Sequence, residues 1–426
     1  MPTWTAARAD PAAPPRRPPL SRPGALVAVI VVAVVGFTAV RIWVASAGWF
    51  YWDDLILHGR AAARPAPDPD FLFADHDGHL MPGGMALVRL AAPTAPLDFR
   101  PPLLQIAVLQ LIAGAALARM LWVLLGGHRV LLVPLVATLA LPLGLPAATW
   151  WAAAVNALPL TAAMAWSVAS TVRLAETGRG RHAVGATVAT ATGLLFVEKA
   201  LIVPVVAAAV LAARWWIGGA GTAALRTMWL RTRTAWVAQA AVVGVWVAVF
   251  LVVVGRFGGR DSFGEAEGTR PGFLDLVDHT YRQAVVPTLG GGPWRWDRWH
   301  PGPPMADPPA AAVAVGVLAC VMVLVWSLWT RRRTGPVWAA VALYPLVSVV
   351  LVAVGRAGPD TAAEIVQTLR YHSEMTVVLA AAAALALAAP RRVPRGEPTA
   401  PSPTPRPGRL AAGVVALLAL LVSSTV

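Results

Sequence analysis

The chain has 426 residues, of which 57% are hydrophobic and only 13% are charged. Soluble domains carry about a quarter charged residues, so this composition excludes an ordinary soluble protein and predicts a polytopic membrane protein. The net charge of +14 does not indicate nucleic-acid binding, because the basic residues are scattered over short segments between apolar runs. The single cysteine, Cys320, excludes an intramolecular disulfide framework.

The N-terminal segment 1–23 is rich in proline and arginine, and we expect it to be a disordered cytoplasmic tail. The apolar run that follows, 24–47, is too long for a signal peptide and leads into Trp49-Phe50-Tyr51-Trp52. Such an aromatic cluster is typical of the membrane–water interface. We therefore interpret this run as an uncleaved first span.

Apolar runs of about 20 residues predict an all-α membrane protein with about eleven transmembrane helices. The predicted spans are 24–47, 101–125, 129–149, 157–175, 183–198, 200–217, 235–255, 309–330, 336–355, 372–389 and 409–426. The domain 24–389 would hold the first ten spans, and a Pro/Arg-rich cytoplasmic linker, 390–408, would precede the last one.

The distribution of arginine sets the orientation, because segments rich in Lys and Arg stay in the cytoplasm. It places the N-terminus inside and leaves 18 of the 21 acidic residues outside the plasma membrane. Acidic residues contribute little to topology, so this asymmetry directs attention to the outer face. Two long outer loops, 48–100 and 256–308, lie there, and the first is expected to contain surface helices at 53–63 and 80–92.

Two adjacent carboxylates, Asp53 and Asp54, follow the first span directly. Neighbouring residues of a helix point about 100° apart, so we expect one carboxylate to face a cavity and the other to hold the helix start or a cation. A carboxylate near the low-dielectric interface can act as a general base. The alternative is that the pair simply caps a helix.

Four further polar residues, Asp75, His76, Asp77 and His79, lie later in the same loop. Their oxygen and nitrogen atoms suit a divalent metal, and Asp75, His76 and Asp77 are the candidate ligands, although the spacing matches no recognised metal motif. The alternative is a polar turn that precedes the second surface helix. No other cofactor is indicated.

Charged residues also interrupt the apolar segments that follow. Glu198 and Lys199 separate two predicted spans, and Lys199 is the only lysine of the chain, so its ammonium is a candidate phosphate ligand. The alternative is that the two neutralise each other. Arg370 and Tyr371 lie just before the tenth predicted span, where arginine suits a phosphate or diphosphate oxygen. An interface anchor is the alternative there.

Three of these motifs together resemble the GT-C superfamily of polytopic glycosyltransferases, in particular the bacterial branch related to protein O-mannosyltransferases and the lipid A aminoarabinose transferase. Asp53-Asp54 is similar to the acidic motif of that superfamily's first outer loop. His79-Leu80-Met81-Pro82 resembles the entry to its second surface helix, and the stretch 198–204 resembles the charged break before its sixth span. The resemblance covers about residues 24–210.

The resemblance implies a membrane enzyme of the cell envelope that moves a sugar from a polyprenyl-phosphate carrier to a hydroxyl of a glycan, lipid or protein at the outer face. Asp53 would be the base and Asp54 its partner or a metal or acceptor contact. Lys199 and Arg370 would hold the carrier phosphate, and Glu198, Tyr371 and His79 would line the substrate site. Two other functions stay open: a non-catalytic relative in envelope assembly, and a transporter or lipid flippase.

Overall fold

The computed structural model describes residues 23–64, 68–92, 97–255, 271–298, 302–355 and 362–392. The predicted disordered tail, the linker beyond residue 392 and the predicted last helix, 409–426, lie outside the described residues, as do parts of both outer loops. The described residues are predominantly helical, which confirms the predicted all-α class.

The α-helices in chain order are α1 (Pro23–Ser46), α2 (Asp53–Ala62), α3 (Pro69–Leu72), α4 (Pro82–Ala91), α5 (Arg100–Leu125), α6 (Leu132–Ala140), α7 (Leu145–Thr149), α8 (Trp151–Thr177), α9 (Gly180–Leu194), α10 (Val203–Gly218), α11 (Thr222–Val253), α12 (Phe273–Asp278), α13 (Val286–Leu289), α14 (Ala310–Thr330), α15 (Gly335–Leu343), α16 (Pro345–Gly355) and α17 (Met375–Ala388). Five 3-10 turns occupy Arg129–Leu131, Pro142–Gly144, Glu198–Ile202, Ala363–Gln367 and Leu369–His372, and a π-helix spans His279–Val285. The short strands β1 (Trp296–Arg298) and β2 (Pro304–Ala306) pair antiparallel, with Trp296 opposite Ala306.

Seven helical segments of the described chain are long and apolar enough to cross a membrane, so the protein has the helices of a multi-pass membrane protein. They are Gly24–Ser46, Arg100–Leu125, Trp151–Thr177, Glu198–Gly218, Thr222–Val253, Ala310–Thr330 and Gly335–Gly355. There is an eighth span if the segments Arg129–Ala140 and Pro142–Thr149 count as one. The chain bends by 51° between these two segments.

The predicted count of eleven spans is therefore not found in the described residues. Two of the predicted spans are shorter helices, since α9 has 15 residues and α17 has 14. A helix of 14 residues rises about 21 Å, which is less than the roughly 30 Å of a bilayer's hydrocarbon core. The apolar run of the sequence continues beyond the end of α9. The helix is shorter than this run because the chain turns into the 3-10 segment that holds Glu198 and Lys199.

The helix α8 is the centre of the bundle. In its most apolar stretch 78% of the residues are buried, against 17% for α11 and for α14. Helices α5, α9 and α10 pack around it, and its many alanines allow that close approach. It ends at Gly178, whose φ of +67° is the left-handed conformation that glycine adopts at a helix C-terminus.

The structure has helices at both positions where surface helices were predicted in the loop 48–100, namely α2 and α4. Their apolar sides, which include Leu57 of α2 and Met85 and Val88 of α4, are buried together against Trp151 at the start of α8. Met85 and Val88 of α4 thus pack inside the protein, whereas Leu90 is exposed. The pair α2 and α4 forms a layer over the N-terminal end of α8.

Candidate functional site

A cavity of about 230 Å³ lies beside the starts of α2 and α8. Its wall contains eight of the ten residues predicted for the site, although they come from segments far apart in the chain: Asp53, His76, Asp77, His79, Glu198, Lys199, Arg370 and Tyr371. The other two, Asp54 and Asp75, do not line it. The fold therefore brings the first outer loop, the 3-10 turn before α10 and the turn before α17 to one place.

The side chains of Asp53 and Asp54 point in different directions, as the helix geometry predicts. Asp53 lines the cavity, whereas Asp54 is fully buried and faces away from it. Its Oδ1 accepts a hydrogen bond from the backbone N–H of Ala152 at 2.7 Å, and its Oδ2 accepts one from Tyr51 N–H at 3.0 Å. Because Ala152 belongs to the first turn of α8, Asp54 satisfies an N–H that the helix itself leaves unpaired. Asp54 thus fastens α2 to α8 and sets the position of Asp53.

Burial raises the pKa of Asp54 to about 7. The hydrogen bonds from Tyr51 and Ala152 act against this rise, since they favour the charged carboxylate, and the neighbouring charge of Asp53 adds to it. The chain approaches this helix start through Trp52, whose φ of 40° is uncommon for a residue other than glycine. The bond from Tyr51 N–H to the Asp54 carboxylate holds the backbone on both sides of that residue.

The structure changes the predicted set of metal ligands. Asp75 Oδ1 accepts a hydrogen bond from Gly78 N–H at 2.7 Å, so this carboxylate closes a polar turn. Asp53, His76 and Asp77 instead place ligand atoms within 4.8 Å of one another. Sequence reasoning did not group Asp53 with the other two, because it precedes them by more than 20 residues.

His76 limits how this cluster could hold a metal. The Arg60 guanidinium lies 3.1 Å from its Nδ1 and must be the donor in that contact. A neutral imidazole that accepts at Nδ1 carries its proton on Nε2, so neither ring nitrogen offers a free lone pair. Burial lowers the pKa of His76, and the charges of Asp77 and Asp53 oppose that shift. A divalent ion would fit only if Arg60 moved away.

His79 and Glu198 join the first outer loop to the turn before α10. The Nδ1 of His79 lies 2.7 Å from Oε1 of Glu198. Close beside them, the backbone N–H of Gly83 donates to the carbonyl of Leu195 at 2.7 Å. A Cβ on Gly83 would lie 3.0 Å from that carbonyl oxygen and from the Phe196 ring, so the close approach of the two segments favours glycine.

Lys199 does not pair with its neighbour Glu198, which was the alternative to a phosphate-binding role. Its Nζ lies 2.6 Å from Oε1 of Glu374 and donates to Ser348 Oγ at 2.9 Å and to the carbonyl of Tyr371 at 2.5 Å. These three acceptors engage all three N–H groups of the ammonium. A phosphate at Lys199 would have to displace one of them.

Glu374 is a residue that sequence reasoning missed. Its side chain is 1% exposed and also accepts a hydrogen bond from the hydroxyl of Tyr344 at 3.2 Å. The available signal was its position, since Glu374 interrupts an otherwise apolar predicted span, where an ionisable residue calls for a partner. Asn156 was not assigned to the site either. It lines the cavity, and its amide oxygen is buried without a hydrogen-bond partner among the described residues.

Arg370 is a cation of the cavity that no carboxylate of the described residues neutralises. Its guanidinium lies over the Trp150 ring at 4.5 Å and over the Tyr371 ring at 5.1 Å, and its Nη2 donates to the Tyr371 hydroxyl at 3.3 Å. Within the described part of the chain, no acidic side chain forms an ion pair with it. Its Nε is buried and has no partner there. The group is thus oriented by aromatic rings and retains donors for an anion.

The second outer loop reaches the same region through its β-ribbon. The hydroxyl of Tyr51 donates to the carbonyl of Gly302, and the Arg298 guanidinium lies 4.9 Å above the Tyr51 ring. Tyr51 in turn contacts Trp150, with ring centroids 5.4 Å apart. Two aromatic side chains in contact, Tyr51 and Trp150, therefore connect Arg298 of the ribbon to Arg370.

No protein-family model matches this chain, and comparison with curated proteins gives no match either.

Proposed function

We propose that the protein is an integral membrane glycosyltransferase of the GT-C type, which moves a sugar from a polyprenyl-phosphate carrier to an acceptor hydroxyl. The observation that carries this proposal is the presence, in one cavity, of the Asp53 carboxylate and of the Arg370 guanidinium, which forms no ion pair with an acid of the described residues. A base and an anion site in one small cavity are what transfer from a phosphate leaving group requires.

Asp53 is the base in this proposal. It removes the proton of the acceptor hydroxyl while the oxygen attacks the anomeric carbon, and the bond from that carbon to the carrier phosphate breaks. Asp54 acts as a positioning residue, since its hydrogen bond to Ala152 N–H fixes the start of α2. The amide oxygen of Asn156, which has no partner among the described residues, is available to accept a hydrogen bond from a sugar hydroxyl.

Arg370 holds the departing phosphate, because its charge and its free donors match a phosphate oxygen. Lys199 was predicted to share this role. Its contacts instead support a role in positioning Arg370. By donating to the carbonyl of Tyr371 and pairing with Glu374, Lys199 anchors the chain directly after Arg370. Glu198, Tyr371 and His79 form the wall between these groups.

The wall of the cavity on the side of α16 suits a lipid-linked donor. Leu351 and Val354 line it and are 42% and 64% exposed on the outer surface of the bundle. A polyprenyl chain could therefore lie along α16 in the membrane while its phosphate reaches Arg370. The proposal places this site at the extracytoplasmic face of the plasma membrane, with the N-terminus inside, in agreement with the distribution of arginine.

The test is sugar transfer by membranes that contain the protein, supplied with polyprenyl-phosphate-linked sugars. Asp53→Asn should abolish transfer at normal expression, and Arg370→Gln should raise the KM for the carrier. Asp70→Asn is the matched control, because Asp70 is an exposed acid of the same loop outside the cavity. Transfer that survives in Asp53→Asn would remove Asp53 as the base. Absence of transfer from every carrier sugar would favour the non-catalytic or transport functions.

A further inference from the structure

A second cavity, of about 550 Å³, lies at the opposite end of the bundle from the candidate site. The start of α1, the end of α5, the end of α8 and the start of α9 form its walls. The helix α8 has 27 residues, so its two ends are about 40 Å apart. The two cavities therefore face opposite surfaces of the membrane, and the second has no part in the proposed transfer.

The second cavity is strongly basic. No acidic side chain is among the described residues that line it, whereas four arginines are: Arg119, Arg173, Arg179 and Arg181. The nearby Glu176 is shared between Arg173, at 3.3 Å, and Arg214, at 2.5 Å, which leaves it unable to neutralise the set. Burial lowers the pKa of His182, and the charges of all four arginines lower it further. The positive charges of the four arginines thus act together at His182.

Arg119 is held in place within this cavity. Its guanidinium lies 4.0 Å above the Trp166 ring, and it donates to the carbonyl of Trp166 and to Ser170 Oγ, both at 3.2 Å. A guanidinium fixed in this way loses little rotamer freedom when it binds an anion. The cavity therefore has one anchored cation and three nearer its rim.

The remaining wall of the cavity is apolar and faces the surrounding lipid. Val27 and Ile30 of α1, with Trp122 and Val123 of α5, line it. Only 22% of the most apolar stretch of α1 is buried, and Val27 itself is 47% exposed. A ligand that fits both walls has an anionic head and an apolar tail.

We propose that this cavity binds the phosphodiester head group of an anionic glycerophospholipid from the surrounding leaflet. The arginines contact the phosphate, and one acyl chain lies along Val27 and Ile30 outside the helix bundle. Basic pockets between membrane helices bind anionic lipids in this way. With the orientation predicted from arginine, the leaflet is the cytoplasmic one.

Native mass spectrometry of the full-length protein in mild detergent, titrated with phosphatidylglycerol and with phosphatidylcholine of the same chain lengths, tests this proposal. We expect phosphatidylglycerol to bind at least about tenfold more tightly than phosphatidylcholine, and Arg119→Gln/Arg173→Gln to remove that preference. A second variant, Arg179→Gln/Arg181→Gln, changes two exposed residues and should weaken the preference without disturbing packing. The matched control is Arg226→Gln/Arg233→Gln, which removes the same charge from exposed positions of α11.

Three results would overturn the proposal. One is equal binding of the two lipids by the wild type. Another is an equal loss of the preference in the control and in the cavity variants, since the effect would then come from total charge. The third is displacement of the lipid by glycerol 3-phosphate at an equal concentration, because the cavity would then bind a free phosphate ester and not a membrane lipid.

Discussion

The ion pair between Lys199 and Glu374 allows a quantitative test of how the candidate site is built. Replacing Lys199 by Met keeps the length of the side chain but removes the ammonium. It leaves Glu374, whose side chain is 1% exposed, without its cation at 2.6 Å. A buried charge that loses its partner costs about 3–5 kcal/mol. The Ser348 hydroxyl loses the Lys199 donor as well, whereas the Tyr371 carbonyl keeps its hydrogen bond from Ser348 Oγ at 2.8 Å.

For a chain of 426 residues, 1 kcal/mol corresponds to about 1 °C in Tm, so we expect Lys199→Met to lower the apparent Tm by roughly 3–5 °C. The double variant Lys199→Met/Glu374→Gln should recover part of this loss, because no charge is then left buried alone. Intrinsic tryptophan fluorescence of the purified protein during heating measures the transition, since the chain contains 19 tryptophans.

Arg214→Met is the matched control. Arg214 also forms a long-range ion pair, with Glu176 at 2.5 Å, but about 30% of each side chain is exposed there. Such a pair contributes about 0–1 kcal/mol, so the apparent Tm should change by no more than about 1 °C. Equal losses in Lys199→Met and Arg214→Met, or additive losses in the double variant, would show that burial of Glu374 does not determine the stability of this region.

Three further predictions concern the two sides of the candidate site. Because burial raises the pKa of Asp54 from 3.8 to about 7, the folded state retains a proton that the unfolded chain releases. Stability should therefore fall by roughly 4 kcal/mol as pH rises from about 4 through 7, and Asp54→Asn should remove this slope from Tm measured against pH. Gly83→Ala should lower stability by about 1–3 kcal/mol, since its Cβ would lie 3.0 Å from the carbonyl oxygen of Leu195; an unchanged Tm would contradict the close contact. Arg60→Leu should increase Zn²⁺ binding by the cluster of Asp53, His76 and Asp77, because it frees His76 Nδ1; a competition assay with a chelating dye measures this, and equal affinity in wild type and variant would refute it.

The helices were predictable where a continuous apolar run exceeds the thickness of the bilayer. This holds for α1, α5 and α14, whose length and composition identify them without tertiary information. It fails for α9 and α17, because an apolar residue in the sequence can be buried among other helices as well as exposed to lipid. Apolarity alone does not distinguish a short embedded helix from a full span.

The candidate site was predictable as a set of residues but not as a set of partners. We selected Asp53, His79, Lys199 and Arg370 because polar side chains near membrane spans are costly unless they have a function. These four residues line one cavity. Their pairing was not predictable, because His79 meets Glu198 and Lys199 meets Glu374 across more than 100 residues of chain. Such contacts depend on how the helices pack, and the separate segments carry no information about that.

The adjacency of Glu198 and Lys199 has a consequence for the evolution of this sequence. Two consecutive residues are committed to partners on opposite sides, His79 in the first outer loop and Glu374 at the start of α17. A single inserted residue between them would rotate one side chain away and make the two contacts mutually exclusive. Related sequences should therefore vary at this turn by substitution and keep its length unchanged, even where neighbouring loops have gained or lost residues.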